Sequence, residues 1–318
     1  MKLLSKSLLL LLAAALFFAV AGVVATWAPD RPVQALTARW AQPPSQFITV
    51  EGLQVHLRDE GRRDDPVPIV LIHGTSASLH TWEGWAAALR GQRRVIRMDL
   101  PGFALTGPNP QGDYSMAAYV RFMTALLDQL GVQRCVLAGN SLGGQIAWAS
   151  ALALPQRVER LVLVDAGGYP FDAGTEPQSV PLGFQIARMP ALRPLMQSVL
   201  PRGVVERSVR NVYGDPAKVG PELVDLYFDM TLRAGNRRAL GQRLEQPFGD
   251  DAARIRELKL PTLILWGGKD RLLVPEFGRR FARDIAGSRL VLFDDLGHVP
   301  QEEDPVRTVA ELKAFLGS

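Results

Sequence analysis

Apolar residues recur along this 318-residue chain in two alternating rhythms. Short apolar blocks centred near Ile48, Val55, Val70, Ile96, Val136, Leu163, Ile264 and Val291 predict strands. Between them, apolar positions three and four apart predict helices over 82–89, 116–130, 142–154, 275–286 and 305–316. Strand followed by helix, repeated, is the signature of an α/β fold. The expected core is a mostly parallel eight-stranded sheet with helices on both faces, occupying 47–166 and 261–318. Residues 47–50 and 54–59, joined through Glu51-Gly52-Leu53, predict an antiparallel opening pair.

The rhythm breaks twice. Between 167 and 260 the strands stop, and Leu182, Ile186, Met189, Leu192, Leu195, Met196, Val199 and Leu200, then Leu223, Leu226, Tyr227, Met230 and Leu232, fall at helical spacing. At the other end, 8–28 is a charge-free run behind Lys2 and Lys6. Such a run is long enough to cross the ~30 Å of a bilayer core as a helix. Two readings stay open. One is a retained anchor with Lys2 and Lys6 on the cytoplasmic side; the other is an export signal cleaved after Ala21 or Ala25. Apolar length favours the anchor, and either reading puts the rest of the chain across the membrane. Residues 29–46, with Pro29, Pro32, Pro43 and Pro44, read as a tether.

Composition narrows the classes. With 47% hydrophobic and 21% charged residues, the chain can bury a core and is not of disordered type. The net charge of +4 is not gathered into any block, so it gives no nucleic-acid footprint. The pairs Arg237-Arg238 and Arg279-Arg280 read as solvated helix faces. Cys135 is the single cysteine, expected to be buried in a strand, and no internal disulfide is possible. No metal-ligand spacing, Walker loop or dinucleotide glycine motif is present, so no cofactor or metal is implied.

The chemistry concentrates at Gly139-Asn140-Ser141-Leu142-Gly143, between a predicted strand and a predicted helix. A serine in that turn is a nucleophile elbow, where glycines two before and two after give the room that a sharp turn needs. An activated serine needs a base, and the base needs an acid to orient it. His298 and Asp270 each sit on a loop after a strand, and the order Ser141, Asp270, His298 is that of the α/β-hydrolases. Over roughly 47–316 the chain resembles this family, with carboxylic-ester and C–C-bond hydrolases as nearest relatives.

The resemblance implies more. Residues 167–260 become a helical cap over the active site, and the backbone N–H groups of Thr75 (in His73-Gly74-Thr75-Ser76) and Leu142 form the oxyanion hole. Asp165 is a rival acid, since some relatives place theirs after that strand. Relatives carry glycine and serine where this chain has Ala104 and Thr106. Among the remaining histidines, His73 is expected to hydrogen-bond the oxyanion loop, His56 to be a solvated strand position, and His80 to be a candidate for the pocket mouth.

A cap rich in Leu, Met, Phe and Tyr implies a small apolar ester-like substrate and exclusion of water. The resulting expectation is a serine hydrolase acting through an acyl-enzyme. Asn140 and Ser76 are similar to the C–C hydrolases of ring-fission products, which stand as an alternative. A non-catalytic ligand-binding receptor on the same scaffold is a further one. Ser141 excludes epoxide hydrolases and haloalkane dehalogenases, which need aspartate there, and Leu142 does not fit the proline iminopeptidases. Oligomeric state is not encoded in any motif.

Overall fold

The computed structural model describes residues 2–189, 191, 197–246 and 251–317, with the backbone alone for 2–7 and 19. Leu192, Leu195 and Met196 of the expected cap pattern, and the side chains of Lys2 and Lys6, lie outside the described residues. The strands are β1 (Gln46–Val50), β2 (Leu53–Gly61), β3 (Ile69–Ile72), β4 (Arg94–Met98), β5 (Cys135–Asn140), β6 (Val158–Val164), β7 (Thr262–Gly267) and β8 (Arg289–Phe293). The helices are α1 (Lys2–Ala25), α2 (Gln34–Trp40), α3 (Glu83–Leu89), α4 (Met116–Gln129), α5 (Leu142–Ala153), α6 (Leu182–Ala187), α7 (Arg202–Val212), α8 (Pro221–Leu232), α9 (Asn236–Leu244), α10 (Pro275–Asp284), α11 (Pro300–Glu303) and α12 (Pro305–Leu316).

The sheet runs β1-β2-β4-β3-β5-β6-β7-β8. β1 and β2 pair antiparallel, β2 and β4 antiparallel, and all later neighbours parallel. Side chains alternate faces along each strand, so β3 sends Val70 and Ile72 into one core and Ile69 and Leu71 into the other. α4 and α5 cover the first face. Trp82, Trp85 and α12 cover the second.

Local rules explain the edges of these elements. α4 opens where the Ser115 hydroxyl accepts the Ala118 N–H at 3.2 Å. It buries Tyr119, Phe122, Met123, Leu126 and Leu127 on one stripe. β5 is buried along its whole length, which is why its sequence runs apolar instead of alternating.

The connections fix where a ligand can bind. From β3 the chain crosses to β4 on one side and then returns to β5 on the other. The loops leaving β3 and β5 therefore diverge, and they open a crevice at the carboxyl edge of the sheet.

α6 to α9 lie above that edge. The segment expected as a tether is docked on these cap helices. Ala28 N–H donates to Ser198 O at 2.8 Å, and Leu200 N–H to Thr26 O at 3.0 Å. Asp30 accepts Gly235 N–H at 2.7 Å and pairs with Arg237, while Asp229 receives Arg31 at 2.9 Å and the Trp40 indole at 2.8 Å. α2 then buries Leu36 and Trp40 against Leu105, Leu226 and Met230. Prolines broke the pattern expected of a helix, but acids and carbonyls on the cap supply partners that no local reading contains.

α1 itself stands free. Its window Leu8–Ala25 has mean hydropathy 2.9 and no buried share within the fold. Twenty-four residues of helix reach about 36 Å, enough to cross a membrane.

Candidate active site

Ser141 follows β5 and precedes α5 with φ 55° and ψ −117°, a positive-φ conformation that costs a residue with a β-carbon roughly 1–3 kcal/mol. Its neighbours hold it there. A β-carbon on Gly139 would come within 2.1 Å of Gly143 O, and one on Gly143 within 2.1 Å of Ile72 O. Glycine is therefore required at both places by close backbone approach, not by φ. Ser141 N–H donates to Val164 O at 3.1 Å, and Ser141 O accepts Gly167 N–H at 2.9 Å, which clamps the turn between β6 and the loop after it.

His298 is buried beside this turn. Its Nδ1 lies 2.6 Å from Asp270 Oδ2, and Asp270 Oδ1 accepts the N–H groups of Leu272 and Leu273 at 2.8 and 3.0 Å. The carboxylate is thereby anchored on one oxygen and offered to the ring on the other. An Nδ1–H donated to Asp270 leaves the Nε2 lone pair free to take a proton. The ring is held from behind as well: His298 N–H donates to Val212 O at 2.7 Å, and Asn140 Nδ2 donates to His298 O at 2.9 Å. Ser141 and His298 line the same cavity, with no hydrogen bond between them among the described residues. In ligand-free enzymes this contact is commonly long and tightens on substrate binding.

Thr75 and Leu142 line that cavity too. Neither backbone N–H donates to another described residue, so two donors remain unclaimed beside the serine. His73, expected to brace this loop, does so. Its Nδ1 lies 2.7 Å from Gly74 O and its Nε2 accepts Leu100 N–H at 2.9 Å. Burial holds its pKa below the ordinary histidine value, in keeping with this neutral tautomer.

Asp165 is the neighbour that sequence reasoning set against Asp270. One carboxylate oxygen of each and one nitrogen of His298 lie within 4.8 Å of one another. Asp165 Oδ1 accepts Gly267 N–H at 3.0 Å, while its Oδ2 meets no donor and the carboxyl faces that of Asp270. Burial first, then the Asp270 charge, pushes the Asp165 carboxyl well above the ordinary range. Burial thus drives Asp165 toward its neutral form.

Several expectations need correction. His56 is fully buried, not solvated: it meets Asp99 at 2.7 Å and Ser45 at 2.9 Å, because β1 and the docked 29–46 segment cover β2. His80 does not line the cavity. It faces Trp40 O at 3.0 Å, and burial pushes its pKa down to about 4. Arg237 is buried against Asp30, not solvated, whereas Arg280 keeps to an exposed face, where it makes paired hydrogen bonds to Asp172 at 2.7 and 2.8 Å. Ala104 takes φ 46°, the left-handed conformation that suits the glycine of relatives, while the Thr106 hydroxyl accepts His56 N–H at 3.0 Å.

Glu303 is a structural residue that the sequence analysis does not single out. Its carboxylate receives Gly297 N–H at 2.8 Å, Gly214 N–H at 2.9 Å and Asp215 N–H at 2.8 Å, stapling the His298 loop to the cap. Only its position five residues after His298 hinted at this.

The cavity measures about 360 Å³ and is walled largely by Ile186, Val199, Leu200, Val205, Val209 and Val212. A family model described as the alpha/beta hydrolase fold matches residues 67–305. The chain belongs to the α/β-hydrolase family. Several of its relatives are named as hydrolases. The 2-hydroxy-6-oxo-2,4-heptadienoate hydrolase of Pseudomonas putida is 30% identical, covering 86% of this chain and 96% of its own. Among solved structures, this α/β-hydrolase is similar to a membrane phospholipase A described as a bacterial virulence factor. That match is 25% identical with TM-score 0.74, covering 100% of this chain and 98% of the other. It is also similar to an esterase from Thermogutta terrifontis, 27% identical with TM-score 0.69, covering 86% and 98%.

Proposed function

We propose that this α/β-hydrolase is a serine carboxylic-ester hydrolase working through an acyl-enzyme. The observation that carries the reading is a strained Ser141 sharing one apolar cavity with a His298 ring hydrogen-bonded to Asp270 at 2.6 Å. His298 Nε2 takes the Ser141 proton as Oγ attacks the ester carbonyl. The developing oxyanion is met by the N–H groups of Thr75 and Leu142, each worth roughly 3 kcal/mol of barrier. Asp270 stabilises the imidazolium, which then protonates the leaving alcohol. Water, deprotonated by the same ring, attacks the acyl-enzyme and frees Ser141.

Cleavage of a C–C bond in a ring-fission dienone is the second reading, favoured by the name of the Pseudomonas putida relative. The apolar α1 and the likeness to a membrane phospholipase A favour a retained anchor, and Lys2 and Lys6 ahead of it would keep that end inside and the catalytic domain on the non-cytoplasmic side. A cleaved signal is the alternative.

The test is Ser141→Ala assayed on nitrophenyl esters of two to sixteen carbons beside a ring-fission dienone. Ester turnover is expected to fall by about 10⁴-fold or more, with the melting transition kept. Activity within tenfold of the parent protein refutes the assignment. Wild-type turnover of the dienone alone would move the reading to C–C cleavage.

A further inference from the structure

Four arginines, Arg58, Arg97, Arg237 and Arg243, stand among the buried side chains. Three of them face a carboxylate: Arg58 meets Glu83 at 2.9 Å, Arg97 meets Glu60 at 2.7 Å, and Arg237 meets Asp30 at 2.5 Å. Arg243 is 6% exposed and makes no ion pair or side-chain hydrogen bond among the described residues. Its Nε is buried without any partner. A guanidinium carries five donors and stays charged, so leaving one buried and unpaired is costly unless something else supplies the anion.

The position of Arg243 says where that anion would come from. α9 turns Arg237, Leu240, Arg243 and Leu244 toward the Ser141 cavity, an arc of one helix face. Arg188 lines the cavity as well, and no aspartate or glutamate does among the described residues. An apolar chamber with a basic group and no acid is complementary to a substrate that is apolar along its length and anionic at one point. Burial lowers the Arg243 pKa, with no carboxylate among the causes that raise it.

We propose that Arg243 binds an anionic substituent, a carboxylate or a phosphate, on the substrate hydrolysed at Ser141. Guanidinium forks suit both groups because two parallel N–H donors match two oxygens. The inference rests on the hydrolase reading only for the word substrate; the anion site itself can be tested without turnover.

The full-length Ser141→Ala protein in non-ionic detergent is titrated calorimetrically with monomethyl adipate, butyl phosphate and the neutral dimethyl adipate. At least one anion should bind tenfold or more tightly than the diester, and which one does so identifies carboxylate or phosphate as the group. Adding Arg243→Gln should shrink that preference by about 10- to 100-fold, and Arg243→Lys by less. Equal binding of all three compounds overturns the proposal, as does a preference that survives Arg243→Gln. Should the Arg243 variants lose their melting transition, the preference in the Ser141→Ala protein decides alone. Failure of the hydrolase reading looks different: the parent protein turns over no ester, while the anion preference persists.

Discussion

Exchanging Asp270 for asparagine while leaving Asp165 in place should separate the two buried acids. Asp270 Oδ2 faces His298 Nδ1 at 2.6 Å, and Oδ1 receives two backbone N–H groups at 2.8 and 3.0 Å. An asparagine can satisfy only one side. If its amide NH₂ points at Leu272 and Leu273, donors oppose donors in a buried place. If it points at His298, the ring must accept at Nδ1 and carry its proton on Nε2, where the Ser141 hydroxyl needs a base. The second arrangement leaves the fewer unmet donors and holds the wrong tautomer. The expected loss in kcat is about 10⁴-fold, or roughly 5.5 kcal/mol of barrier. Asp165→Asn should cost less than tenfold. Its Oδ1 acceptor for Gly267 N–H is kept, and an amide has nearly the shape of the neutral acid toward which burial drives Asp165. The assay is kcat and KM on nitrophenyl butyrate, with melting curves to confirm that both variants fold. Loss of 10³-fold or more from Asp165→Asn with a mild Asp270→Asn would move the acid to β6. Equal losses would show that the two acids act as one unit, and the division of labour argued above would fail.

Two further outcomes follow from buried charge. Asp30→Ala removes the partner of Arg237, whose side chain is 3% exposed, and an acceptor for Gly235 N–H. With Asp30 itself about a third exposed, the cost should be on the order of 1–3 kcal/mol, read as a lower denaturation midpoint. No change in midpoint would mean that the 29–46 segment is not held by this contact. Burial alone would raise the Asp99 carboxyl, but the His56 ring and its hydrogen bond outweigh that and hold its pKa at about 2. A depressed acid contributes stability above its unfolded pKa of about 4 and loses it as pH falls through 2, on the order of 2 kcal/mol. The stability deficit of Asp99→Asn, measured by urea at pH 5 and pH 2, should therefore shrink by that amount toward acid; a constant deficit refutes the reasoning.

What the chain discloses in one dimension follows the range of the physics involved. β5, α5 and the Gly139–Gly143 spacing were readable because the constraint is local: a sharp turn leaves no room for β-carbons two residues either side of Ser141. The loops bearing Asp270 and His298 were readable because strand periodicity marks where each strand ends. His56, Arg237 and residues 29–46 were misjudged for the opposite reason. Each is polar or proline-broken locally, and each is held by a partner far along the chain: Asp99 for His56, Asp30 for Arg237, Asp229 for Trp40. Periodicity counts apolar neighbours, so it assigns polar residues to solvent. A buried polar residue is legible only once its partner is known. Arg243 shows the same rule from the other side. Its burial without an acid is invisible in the sequence, where Arg237, Arg238 and Arg243 look alike. The structure separates them, and a buried charge unmatched among the described residues is the one most directly available to a ligand.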